Sequence, residues 1–480
     1  MDLEVVADLG GTELHATAQT LPDDVLLDIF GFHRLASHGS SPWIWYGLSQ
    51  VCRKWRFAVF AYPRFLKLRI VATYNKSIPD FWPTIPIIIW YPQSALHPFL
   101  SLKDEDDIRE ILKNPARICE MHINMTSQLV RNCASLLGSF PALEHLRLNS
   151  PNGIHASFFP KKFLDGSTPR LRAVHLDNIA FPMLYSSSKN VISLRLENIF
   201  LNERFFTPEN LAIGLSAATR LESLKIDFHS RFSIPRQNDL SSLPTRFVLP
   251  ALIEFHYAGQ SKYLQDFASR IDAPIIEQIE VTCFCSVNSD IYELCDFFGL
   301  EEELRSSLGR TTHIRFFDES VVLTHHFSRF PSPPGEFRLQ LPSRSTVDAQ
   351  FPFMTRICLG FQSWGALRKV TLLEIEGFPD LSRGPMVMDL ARWHSILRNL
   401  TGVKRLHVFG KLVPGMVSAL AQVTMGALHE ILPALRDLHL QCGPETFAST
   451  SATVKSFIKA RKLHGVPLSV HYREQGIRLV

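Results

Sequence analysis

The stretch Leu143-Glu144-His145-Leu146-Arg147-Leu148 decides how this chain folds. Its leucines fall at i, i+3 and i+5. The closing alternation describes a short strand with Leu146 and Leu148 on one face and Arg147 on the other. The same order recurs at Leu171, Val174 and Leu176, at Val191, Leu194 and Leu196, and at Leu221, Leu224 and Ile226. Leu252, Phe255 and Tyr257, then Ile276, Ile279 and Val281, continue it, and later copies start at Leu367, Val403 and Leu435. One such strand cannot bury its apolar face alone, so the copies must stack.

The spacing runs from roughly 20 to 36 residues and resembles leucine-rich repeats, whose regular period is about 20–29. Between copies the chain must cross the back and return. Phe205-Phe206 with Leu211 and Leu215, and Trp393 with Ile396 and Leu400, read as amphipathic returns. The ninth position of a regular repeat holds Asn or Cys, but here it holds Pro151, Ile179, Ile199 and His229. No hydrogen-bonding asparagine ladder is expected at those turns, and irregular curvature follows. Residues 114–480 therefore read as an irregular leucine-rich-repeat solenoid. The pattern thins over 284–365, where alternation at Thr312–Phe316 and Phe337–Leu341 flanks a Pro331–Gly335 turn cluster. That stretch reads as a β-rich insertion, with a domain boundary as the alternative.

Toward the N-terminus, residues 71–113 connect. They are Pro-rich at first, and the acidic run Lys103–Asp107 then reads as the solvated start of a helix carrying Ile108, Ile111 and Leu112. Before them lies a helical stretch, 21–70. Pro22 suits the first helical position, Asp23 and Asp24 suit the positive end of the helix dipole, and Leu26, Ile29, Phe30 and His33 share a face. After Gly39–Pro42 a second helical face carries Leu48, Val51, Cys52, Trp55 and Val59, and Phe65–Ile70 alternates like a strand. Residues 1–20 read as a flexible acidic tail.

The sequences LPDDVLLDIF at 21–30 and LSQVCRKWR at 48–56 together resemble an F-box, over about one-tenth of the chain. The longer Ser- and His-rich stretch between them, Arg34 to Pro42, is similar to variants among fungal F-box proteins. The resemblance implies three short helices that bind a Skp-family adaptor and through it a cullin. It implies that Leu21, Pro22, Leu26, Ile29, Phe30, Leu48, Val51, Cys52 and Trp55 supply the adaptor-facing or core surface, with Trp55 packing inside. The fold class is then α/β, a short all-helical N-terminal module followed by the solenoid. The implied role is a substrate-recruiting subunit of an SCF-type ubiquitin ligase. The alternative is a scaffold that binds the adaptor without promoting ubiquitination.

Composition narrows the other classes. The chain has 480 residues, 46% of them hydrophobic and 20% charged, with a net charge of +4. That balance gives no bulk attraction to nucleic acid or membrane. The eight cysteines lack the spacing of zinc sites or a disulfide framework, so a reducing cytoplasmic or nuclear setting is expected. The acidic start lacks a secretory signal, and the apolar run Ile85–Tyr91 is too short to span a bilayer. No nucleophile elbow, phosphate loop or His-Glu-x-x-His motif occurs, so no enzyme activity, cofactor or metal is expected.

One column of the repeats points to a ligand. The residue between the last two apolar positions should project from the concave face: Arg147, His175, Arg195, Lys225, His256, Glu280, Thr371, His407 and His439. Seven of these nine are basic or His. The bland reading is a solvated polar face. The sharper one is a groove for an acidic or phosphorylated target segment, anchored by Arg147, Arg195 and Lys225, that binds more tightly below about pH 6.5.

Overall fold

A computed structural model describes residues 21–36, 44–62, 70–73, 85–91, 100–126, 128–129, 131, 139–154, 168–179, 187–199, 207–228, 246–283, 310–316, 320–327, 335–342, 370–377, 390–422 and 431–474. Residues 1–20, 37–43, Phe205-Phe206 and most of 284–365 lie outside them. The chain divides near residue 150 into two compact units. That division falls inside the stretch whose motifs read as repeats.

The first unit opens with three helices, α1 (Asp23–Ala36), α2 (Ile44–Val51) and α3 (Arg53–Ala61). Leu26 and Phe30 of α1 meet Ala58 and Val59 of α3, and the same buried cluster takes in Ile70 and Ile85. Leu21, Leu27, Leu48, Trp55 and Phe60 pack around it. Three short helices bury too little surface to be stable alone. This module completes its core with Ile70 in the first of the strands that follow and Ile85 just before the second.

Those strands are β1 (Ile70–Ala72), β2 (Ile87–Tyr91), β3 (Ile118–Asn124) and β4 (His145–Ile154). They lie side by side in chain order and pair in parallel. The apolar run at 85–91 is thus mostly a strand buried on alternate residues. The acidic run starts α4 (Leu102–Leu112), where Ser101 caps the helix: its hydroxyl accepts from the Asp104 amide at 3.2 Å, and the Asp104 carboxylate accepts from the Ser101 amide at 2.9 Å. The run is not simply solvated, because Asp104 and Glu105 are buried. A further copy of the repeat, Ile118, Met121 and Ile123, sits in β3 with all three residues buried.

The second unit carries β5 (Ala173–Ile179), β6 (Ser193–Ile199), β7 (Ser223–Phe228), β9 (Glu254–Gly259) and β11 (Gln278–Cys283) as parallel neighbours. A minor parallel pair joins β8 (Phe247–Val248) to β10 (Ile271–Asp272). Next in the main sheet come β14 (Gly335–Pro342), β13 (Ser320–Phe327) and β12 (Arg310–Phe316), an antiparallel meander whose outer strands run parallel to their neighbours. The order then continues through β15 (Val370–Gly377), β16 (Arg405–Phe409), β17 (Asp437–Cys442) and β18 (Ser469–Glu474). The 310–342 strands therefore extend this sheet.

Register explains the repeat. Val174, Leu194, Leu224, Phe255 and Ile279 align in one buried line, and Leu176, Leu196, Ile226, Tyr257 and Val281 in a second. Helices fill the returns: α5 (Pro208–Leu215), α6 (Ser261–Ala268), α7 (Leu390–Leu397), α8 (Val413–Ala421) and α9 (Pro444–Leu463). Phe267 of α6 stacks on Phe255 at 6.3 Å, and Tyr263 meets Phe228 edge-on at 4.6 Å. Gly259 ends β9 where a Cβ would lie 2.5 Å from the Tyr257 hydroxyl and 2.8 Å from the Phe228 ring. Gly259→Ala should therefore lower stability by about 1–3 kcal/mol through overpacking, read from the denaturation midpoint.

Two details differ from expectation. The copy started at Leu367 is out of register, since Val370, Leu373 and Ile375 are the buried trio and Leu372 is only half-buried. A strand can bury just one parity of residues, and β15 buries the odd ones after Val370. Asparagine also serves the turns one place earlier than in regular repeats. Asn178 and Asn198 adopt left-handed backbone at φ 56° and 51°. Asn178 Nδ2 donates to the Ser150 carbonyl at 2.7 Å, and Asn198 Nδ2 donates to Asp177 Oδ1 at 2.8 Å. The pairing of β6 with β7 gains an extra residue at this point, as a bulge requires.

Candidate functional site

Two surfaces stand out, one on the helical module and one on the polar face of the second unit's sheet. On α1 the residues Val25, Ile29 and Phe32 fall at i, i+4 and i+7 and form an exposed apolar stripe. Ile29 is 37% exposed and Phe32 is 72% exposed. Val51 at the end of α2 and Phe57 on α3 are 54% and 68% exposed, and Tyr62 follows α3 into solvent. Exposed aromatic and aliphatic side chains at this density mark a protein-binding surface.

The nine residues grouped by sequence as adaptor-facing or core divide on inspection. Leu26 and Phe30 are 0% and 2% exposed, so in the free chain they are core. Their face lies about 100° around the helix from the stripe. Leu21, Leu48 and Trp55 pack at the edge of the same core. Trp55 meets Phe30 edge-on at 5.0 Å. Cys52 caps α3, its sulfur accepting the Trp55 amide at 3.5 Å. Pro22, Ile29 and Val51 are exposed. Val25, Phe32, Phe57 and Tyr62 are exposed as well and lie outside that group of nine. The i, i+4, i+7 spacing of the first two was the available signal, masked because Leu26 and Phe30 form an equally regular face.

Lys54 holds the module's entry by donating to the Leu21 carbonyl, with Asp23 at 3.9 Å. Arg56 Nε donates to the Ser49 carbonyl at 2.9 Å, joining α3 to α2.

On the sheet, register draws the sequence column into one row. In the second unit His175, Arg195, Lys225, His256 and Glu280 are direct cross-strand neighbours. The row continues through Arg338, Thr324 and His313 of the meander, then Glu374, His407, His439 and His471. Thr371 is not in it; Glu374 takes that place because of the register correction in β15. Arg147 lies in the first unit, in register with His122 and, one strand further, Trp90. Arg338, His313 and His471 were missed because their strands carry no recognisable copy of the motif.

Carboxylates bridge the basic residues in pairs. Glu197 sits 2.8 Å from His175 and 2.6 Å from Lys225. Glu280 sits 3.0 Å from His256 and 3.5 Å from Arg338. Glu374 sits 2.6 Å from His313 and 3.2 Å from His407. Burial raises the Glu197 carboxyl, but the Lys225 hydrogen bond and the nearby His175 and Lys225 charges outweigh it and leave the group below its ordinary range. Hydrogen bonds from His313 and His407 hold Glu374 far below it, against a smaller opposing effect of burial. A cleft of about 370 Å³ opens over Arg195, Lys225, His256 and Glu280, edged by Asp227 and Glu254. Arg195 is exposed and has no ion pair among the described residues.

Because the Glu374 carboxyl is lowered in the folded state, its contribution to stability is complete above the unfolded value, about pH 4.3, and is lost as pH falls through the depressed one. Glu374→Gln should therefore be less stable than the parent at pH 6, with the gap closing below about pH 4. Denaturation midpoints across that range measure it.

An F-box-like family model matches residues 18–62, so the N-terminal helical module is an F-box-like domain. F-box domains generally bind Skp-type adaptors. No curated protein matches the chain. Among the described residues, no helix is long and apolar enough to cross a membrane, and no group of three or more His, Cys, Asp or Glu could hold a metal ion.

Proposed function

We propose that this chain is the substrate-recruiting subunit of an SCF-type cullin-RING ubiquitin ligase. The F-box-like module docks a Skp-family adaptor and through it a cullin, while the sheet's polar row holds a target protein. The observation that carries the reading is the unpartnered Val25, Ile29 and Phe32 stripe inside the F-box-like segment. The parallel runs of the main sheet from β5 to β11 and from β15 to β18, with helical returns and buried lines in register, support an irregular leucine-rich-repeat solenoid as the target-holding part. Its meander at 310–342 is an insertion in that solenoid.

The chain itself does no chemistry in this reading. Holding target lysines beside another subunit's enzyme raises their effective concentration. A reducing cytoplasmic or nuclear setting suits the eight cysteines, whose spacing does not make a disulfide framework. The target segment is acidic or phosphorylated. Because Lys225 and most of the row's imidazoles are matched internally, that preference rests within the second unit on the exposed cation Arg195 and on the far end of the row.

Ubiquitin-remnant profiling of cells expressing the full chain or its Ile29→Asp variant tests the function. Proteins that bind both forms but lose ubiquitination with the variant are the expected result. Bound proteins whose ubiquitination is the same with both forms would favour a scaffold.

A further inference from the structure

The row is not uniform in how its histidines are matched. His175, His256, His313 and His407 each face a carboxylate within 3.2 Å. The last two positions break the rule. Among the described residues, neither His439 nor His471 forms an ion pair with a carboxylate. His439 instead lies between two other imidazoles, its ring centroid 4.4 Å from that of His407 and 4.5 Å from that of His471. The latter pair is stacked at 19°.

The groups around His439 are few. His407 faces it from β16, His471 and Arg473 face it from β18, and Asp437 lies two residues back on its own strand. Glu374, the next carboxylate along the row, is already shared by His313 and His407. His471 and Arg473 are both exposed, on the last strand of the sheet order. Cations and latent cations thus collect where, among the described residues, no carboxylate forms an ion pair with them and Asp437 acts only from two residues back, while every other imidazole of the row is ion-paired.

We propose that His439, His471 and Arg473 form a binding site for a phosphoryl group on a target segment, filled as the imidazoles gain protons. This rests on the polar row being the target-holding face. A phosphoryl group brings nearly two negative charges and three acceptor oxygens, enough to bridge neighbouring rings and the Arg473 guanidinium. A single carboxylate would leave one of two adjacent imidazolium charges unanswered.

Protons and ligand load together. Burial, and then the neighbouring His407 and His471, hold the His439 proton affinity below its ordinary range despite Asp437. Stacked rings resist a second charge until an anion sits over them, so a bound phosphoryl group draws protons in, and low pH draws the phosphoryl group in.

The test uses the full chain and a pool of random-sequence peptides with a fixed central phosphoserine, beside the same pool unphosphorylated. Fluorescence polarisation at pH 6.0 and 7.5 should show the phosphorylated pool binding about tenfold more tightly at the lower pH. The H439Q/H471Q double variant should lose that gain. H471R, which fixes a charge, should keep binding and flatten its pH dependence. Adaptor capture should be unchanged in all of them, and cellular targets that still co-purify with the double variant would leave the row's general role standing while removing this site. The proposal is overturned if the phosphorylated pool binds no better than the unphosphorylated one at pH 6.0, or if the double variant binds it as tightly as the parent.

Discussion

Ile29→Asp is expected to abolish capture of a Skp-family adaptor while leaving the chain folded. Ile29 sits between Val25 and Phe32 on the exposed stripe of α1, and its side chain is outside the cluster that holds the module together. A carboxylate there stays in water in the free chain and costs little. On docking it would have to be buried without a partner, which exceeds what a small interface can supply. The neighbouring substitution behaves differently. Phe30→Ala removes a fully buried ring that touches Trp55, and should cost about 3–5 kcal/mol of stability. Adaptor binding would then fall because the module unfolds. Thermal denaturation beside a binding titration separates the two. Loss of binding with an unchanged midpoint is the signature for Ile29, and a lowered midpoint for Phe30. Deleting 21–70 is less clean, because it uncovers Ile85 and removes Ile70 from the shared core.

Arg461→Ala should destabilise the second unit by about 3 kcal/mol without touching adaptor capture. Arg461 is 2% exposed near the end of α9. Its Nη2 donates to the Leu435 carbonyl at 2.7 Å and its Nη1 to the Leu432 carbonyl at 3.3 Å, with Phe457 under the guanidinium. Leu432 adopts φ 47°, a conformation branched and bulky side chains avoid, so this turn depends on what holds it. Burial pushes the Arg461 guanidinium below its ordinary range, yet the fork still matches two carbonyls at once. Arg461→Lys should recover only part of the loss, since one ammonium cannot reproduce a planar fork. Urea denaturation midpoints of the three forms decide it.

Much of the fold was legible because the repeat writes a period-2 pattern directly into the sequence. Leu146, Leu148, Leu194, Leu196, Leu438 and Leu440 were all assigned inward, and all are buried. What failed did so for physical reasons. At β15 the run Val370-Thr371-Leu372-Leu373 offers apolar residues of both parities, and only packing selects Leu373 over Leu372. The meander strand β13 runs antiparallel, so Thr324 joins the row without any motif around it. On α1, apolar residues at 25, 26, 27, 29, 30 and 32 support two faces. The spacing cannot say which one meets β1, because Ile70 and Ile85 come from elsewhere in the chain. The polar column was visible as a list of side chains. Its charge balance was not, since Glu197 lies two residues beyond the column and Glu374 was hidden by the register error.

The central claim is that the exposed stripe of the F-box-like module docks a Skp-family adaptor. Isothermal titration of the purified full chain with a purified Skp-family adaptor tests it most directly. The account predicts a one-to-one complex that forms with the parent chain and is lost with Ile29→Asp at an unchanged denaturation midpoint. No heat of binding with the parent, or equal affinity for the folded variant, would contradict it.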